Sequence, residues 1–136
     1  GGTMTRFKVE KLVRDRTIER HESDQACTIA ARSLSLKAYR KALREKLVEE
    51  AYEAAQAEEL IEIATELADV FEVARALAQA YGISLKSIET IRLAKNAERG
   101  AFKKRIYCEY AEAKEGSRHY ELYKKAPEKY PPIKDK

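Results

Sequence analysis

The sequence predicts a mainly α-helical protein of four-helix-bundle-like architecture, and three observations carry that expectation. Two long stretches, residues 36–56 and 58–81, repeat apolar residues at spacings of three, four and seven, the period of an amphipathic helix. A serine stands before the first stretch and Gly82 after the second, which are start and stop signals for helices. A third stretch, residues 85–99, is bracketed in the same way by Ser84 and Gly100.

Taken in order, Gly1 to Thr3 precede Met4 and are expected to be residues foreign to the native chain. Residues 4–126 are expected to form a single helical domain, since 136 residues can bury one core but gain from a partner subunit. Phe7 to Arg20 mix Leu12 and Val13 with charges, the pattern of a short helix or of an extended arm docked on the bundle. Residues 26–34 carry β-branched Thr28 and Ile29 and predict a short strand. Ser35 or Ser33 then caps the first long helix, 36–56.

No proline or glycine separates 36–56 from 58–81, so the break near Ala57 rests on a shift of apolar phase; one continuous helix is the alternative. After 85–99, residues 105–110 predict a second short strand, followed by a Gly116-Ser117 turn and another short element. Residues 127–136 hold three prolines among charges without an apolar period, which predicts a flexible tail.

Composition narrows the function classes. A net charge of +4 admits a polyanion partner, but the two signs are interspersed, and a phosphate-bearing small molecule accounts for the surplus equally well. With no tryptophan and 8% aromatic residues, stacking platforms for single strands are not indicated, so nucleic acid is not the expected partner. No apolar run reaches a membrane span and no signal-peptide pattern is present. A cytoplasmic protein without membrane contact is expected, with Cys27 and Cys108 reduced.

The chemistry concentrates between Lys46 and Val73. Glu49, Glu50 and Glu53 are followed after a short gap by Glu66 and Asp69. Residues three apart lie one turn apart on one helix face, so Glu50 with Glu53, and Glu66 with Asp69, can each grip one object. At about 100° per residue Glu50 falls inside the apolar arc of Leu36, Tyr39, Leu43, Leu47 and Ala54, with Glu53 at its edge. Glu66 falls near Ile63, Val70, Val73 and Leu77, with Asp69 at the margin. Carboxylates aimed inward are costly unless paired or metal-bound, and Lys46 is the one cation at an edge of those arcs. A ligand set of oxygen alone favours Mg²⁺ or Mn²⁺ over zinc, and such cations suggest phosphate chemistry.

These residues resemble the all-α nucleoside triphosphate pyrophosphohydrolases, the group of MazG-like proteins, dimeric dUTPases and phosphoribosyl-ATP pyrophosphohydrolases. The resemblance rests on E-E-x-x-E followed by E-x-x-D, with KLVRDR at 11–16, YRKALREKLVEE at 39–50 and KNAERGAFKKRI at 95–106. The last three stretches point to the phosphoribosyl-ATP pyrophosphohydrolase-like or MazG-like branch. In that branch a proline usually follows the position of Arg16, where this chain has Thr17.

The resemblance implies Mg²⁺-dependent hydrolysis, Mn²⁺ substituting, of a nucleoside triphosphate or related phosphoanhydride to a monophosphate and pyrophosphate, as in cleansing of the nucleotide pool. It implies Glu50, Glu53, Glu66 and Asp69 as metal ligands and Glu49 as a further ligand or water holder, with Glu49 or Glu53 accepting the proton. Lys95 and Arg99, on a basic stripe with Arg92, are expected to hold phosphate oxygens, as are Lys11 and Arg14. A homodimer or dimer of dimers is expected, because the apolar arcs of the long helices cannot cover each other within one chain. The alternatives are a non-catalytic helical module that binds nucleotides or protein, and a basic adaptor using Arg92, Lys95, Arg99, Lys103 and Lys104 on nucleic acid.

Overall fold

The computed structural model describes residues 2–134, so Gly1 of the stretch ahead of Met4 and residues 135–136 of the expected tail lie outside the described residues. Five helices follow one another: α1 (Thr17–Glu22), α2 (Leu36–Gln56), α3 (Leu60–Ala80), α4 (Leu85–Arg99) and α5 (Arg118–Lys124). The chain divides into two compact units, Gly1–Glu98 and Arg99–Lys136.

In the first unit α2 packs along α3, and this is the extensive helix–helix contact among the described residues. Ser35, not Ser33, caps α2: its side-chain oxygen accepts from the Ala38 N–H at 3.2 Å. Ala57 and Glu59 both take extended backbone angles, so the chain breaks between α2 and α3 without glycine or proline. The two helices run antiparallel. Arg40 near the start of α2 donates to the Ala80 carbonyl at the end of α3 (2.9 Å), and Arg44 donates to the Tyr81 hydroxyl. At Gly82 (φ 68°) the chain enters the left-handed region, and the N–H groups of Gly82 and Ile83 close back onto Gln79 and Ala78, which satisfies carbonyls that end α3. Ser84 caps α4 through the Ser87 N–H (3.0 Å).

Leu43, Val73 and Ala78 are the buried apolar residues among those described. Leu43 is 2% exposed, and such a thin core makes each member count. Leu43→Ala should cost about 2–5 kcal/mol, a large share of a small domain's total of roughly 5–15 kcal/mol. Urea unfolding, read as a lower midpoint at unchanged slope, measures it. Leu36, placed by periodicity on the inner arc, is exposed at the first position of α2.

Among the described residues there is no strand. Residues 26–34 and 105–110, expected as strands, run as irregular chain, because no neighbouring segment pairs with their backbone and β-branched residues alone do not make a ladder. In the second unit Ser117 caps α5 through the Tyr120 N–H (3.2 Å), and Tyr130 meets Tyr123 edge-on at 4.9 Å. No helix among the described residues is long and apolar enough to cross a membrane.

Candidate functional site

Glu50 follows Leu43 by seven residues and Glu66 precedes Val73 by seven, so each carboxylate continues the inner seam two turns beyond a core residue. Asp69, one turn after Glu66, joins them. One carboxylate oxygen from each of Glu50, Glu66 and Asp69 lies within 4.8 Å of the others, and all three residues are half-buried. The antiparallel hairpin brings these groups from two helices to one point.

Three cations border the cluster. Lys46, its side chain 18% exposed, sits 3.5 Å from both Glu49 Oε1 and Glu50 Oε1. Two others come from the irregular segment ahead of α1. Lys11 Nζ donates to Glu49 Oε1 at 3.0 Å, and Arg14 Nη2 donates to Asp69 Oδ1 at 2.6 Å.

These partners divide the site electrically. The hydrogen bond from Lys11, helped by the charge of Lys46 and opposed by partial burial, holds the Glu49 carboxyl below its ordinary value. Glu66 behaves oppositely: partial burial first, then the charges of Asp69, Glu50, Glu53 and Glu62, push its carboxyl above the ordinary value. Among the described residues Glu66 has no cationic partner of its own. Oxygen donors of like charge that converge from two helices fit a hard divalent cation, which would relieve their repulsion.

The structure thus gathers Glu50, Glu66 and Asp69. Glu49 stands beside them, held by lysines on two sides. Glu53 is exposed and outside the converging group, though its charge reaches Glu66. Lys11 and Arg14, expected at phosphates, rest on carboxylates. Lys95 and Arg99 are exposed on α4 and, among the described residues, form no ion pair, whereas Arg92 is bound to Glu89 of its own helix.

Lys46, an edge cation by periodicity, pairs with both Glu49 and Glu50, and its spacing of three and four from them is the sequence signal for that double pairing. The docking of Lys11 and Arg14 on carboxylates 38 and 55 residues away carries no local signal.

A family model described as phosphoribosyl-ATP pyrophosphohydrolase matches residues 8–96. That span includes the arm cations, the acidic cluster and Lys95. No significant match was found among curated proteins or among solved structures.

Proposed function

The chain belongs to the phosphoribosyl-ATP pyrophosphohydrolase family, and from that premise we propose that it hydrolyses a nucleoside triphosphate, or a related phosphoanhydride such as phosphoribosyl-ATP, to a monophosphate and pyrophosphate in the presence of Mg²⁺ or Mn²⁺. The observation that carries the reading is the convergence of Glu50, Glu66 and Asp69 oxygens within 4.8 Å on two antiparallel helices.

In this reading Glu50, Glu66 and Asp69, with Glu53 nearby, hold the metal. Bound there, Mg²⁺ would supply charge neutralisation at the phosphates and acidify a water molecule. Glu49, which stays beside Lys46 of its own helix, is the proposed acceptor of a proton from water, and Glu53 is the second candidate for that role. Lys95, Arg99, Lys11 and Arg14 bind phosphate oxygens.

The active form is proposed to be a homodimer, or a dimer of dimers, in the cytoplasm. Leu60, Leu67 and Phe71 share one face of α3, turned away from the Val73 seam, and all three are exposed; so are Val48 and Tyr52 on the corresponding outer face of α2. A second copy covers such faces with like surface, and two hairpins then supply the four long helices of a bundle.

A panel of ordinary and modified nucleoside triphosphates, with phosphoribosyl-ATP included, assayed for pyrophosphate in Mg²⁺, tests the activity. Release from at least one member is the expected result. Zero release throughout, with nucleotide binding retained, would favour a non-catalytic binding module. Lys95→Ala and Arg99→Ala should each lower kcat/KM, chiefly through KM, by roughly 10-fold for the loss of one charged hydrogen-bonding partner of about 1.5 kcal/mol. Mn²⁺ affinity should stay unchanged in both. Wild-type kinetics in both variants would return these side chains to a solvated helix face.

A further inference from the structure

The segment ahead of α1 is fastened chiefly by side chains. Among the described residues no backbone hydrogen bond joins residues 7–13 to the helices, and Phe7 and Val9 are exposed. What holds the segment is half-buried Leu12 together with the Lys11–Glu49 and Arg14–Asp69 pairs. Just before Lys11 the chain passes through Glu10 at φ 44°, a left-handed conformation that a glutamate adopts at a cost.

We infer that residues 9–16 form a strap, which Arg14 holds against Asp69 in the metal-free protein and which lets go when a divalent cation occupies Glu50, Glu66 and Asp69. The inference rests on the metal-binding reading of that cluster.

Arg14 and a cation seek the same carboxylate. Asp69 offers one carboxylate oxygen to the converging group, and Arg14 binds the same carboxylate at Oδ1 through a single hydrogen bond at 2.6 Å with 64% of its own side chain exposed. Such an exposed pair contributes little, so it yields to a multiply coordinated cation. The guanidinium that leaves Asp69 remains tethered beside the cluster, where phosphate oxygens on a bound nucleotide provide a replacement anion with better bidentate geometry. Cation binding therefore converts Arg14 from a partner of the protein's own carboxylate into a free ligand for substrate. The coupling is competitive, and its sign can be measured.

Asp69 has a second carboxylate oxygen, so Arg14 as a fixed outer partner of a metal ligand is the opposing arrangement, and it predicts the opposite sign. Mn²⁺ binding, titrated by the electron paramagnetic resonance of the free ion, is compared in wild type, Arg14→Gln and Glu66→Gln; trypsin cleavage at Lys11 and Arg14 is followed in wild type and Glu66→Gln with and without Mn²⁺. The strap requires Arg14→Gln to bind Mn²⁺ more tightly, by about two- to fivefold, the loss of one exposed competing pair. It also requires Mn²⁺ to speed cleavage of the wild-type arm but not that of Glu66→Gln. Unchanged affinity in Arg14→Gln, or affinity weakened by roughly 10- to 100-fold as for a lost outer-sphere partner, overturns the strap while leaving the metal site in place. Absence of Mn²⁺ binding in wild type overturns the metal site and the strap with it.

Discussion

Glu50→Gln and Glu66→Gln are each expected to lose pyrophosphate release and the metal-induced rise in melting temperature, yet to melt no lower than the metal-free wild type. Gln keeps the shape of Glu and removes one charge from a site where oxygens of like charge lie within 4.8 Å. In the metal-free protein that removal relieves repulsion, so stability is held or gained. With metal the balance reverses. A cation that binds only the folded site stabilises it by about 2.7 kcal/mol at 100 times its Kd, and a variant lacking a ligand forgoes that gain. The drop in kcat/KM should exceed the roughly 10- to 100-fold loss typical of an outer-sphere partner. Melting curves with and without millimolar Mg²⁺ read the effect, and a retained metal response in both variants would remove these carboxylates from the site.

The pH dependence follows from the raised Glu66 carboxyl. The folded metal-free protein binds that proton more tightly than the unfolded chain, so the associated stability is full below the ordinary glutamate range and is lost as pH rises through the raised folded value. Glu49, held below its ordinary value by Lys11, has the opposite sign: its contribution is present above the ordinary range and is lost as pH falls through the lowered value. Glu66→Gln removes the first dependence alone. Its stability advantage over metal-free wild type should therefore widen between about pH 4 and about pH 7.

The second large effect is expected from Leu67→Glu combined with Phe71→Glu. Both side chains are exposed on α3, 46% and 73%, one turn apart on the face that lies away from the Val73 seam. If that face meets its own copy, the substitutions set like charges against apolar partners across a two-fold axis. Loss of one central interface residue costs about 2 kcal/mol, roughly 30-fold in Kd, and two added charges per chain should exceed that. Sedimentation equilibrium at micromolar concentration should show the wild type at twice the 15.5 kDa of one chain or more, and the variant at 15.5 kDa. A wild type that sediments only at 15.5 kDa would end the dimer reading.

Local signals account for the helices. Ser35, Gly82 and Gly100 mark ends that depend on one side-chain oxygen or one left-handed residue: α2 begins after Ser35, α3 ends just before Gly82 and α4 ends before Gly100. The start of α3 lay two residues later than its periodicity suggested, since Glu59 makes no side-chain cap and the extended linker takes up the difference. The strands over 26–34 and 105–110 failed for the converse reason: a strand needs a partner, and β-branched composition does not say whether one is near.

The sequence by itself determined the helix faces, and with them the inward direction of Glu50 and Glu66, because 3.6 residues per turn is a property of the backbone. It also determined the oxygen-only chemistry of the cluster. Which carboxylates converge was decided by the antiparallel pairing of α2 with α3, which admitted Asp69 and left Glu53 exposed at the rim. The partners of Lys11 and Arg14 were likewise decided in three dimensions. The segment that carries them has no period of its own, so the pairing of Arg14 with Asp69 across 55 residues of chain is a fact of the tertiary structure alone.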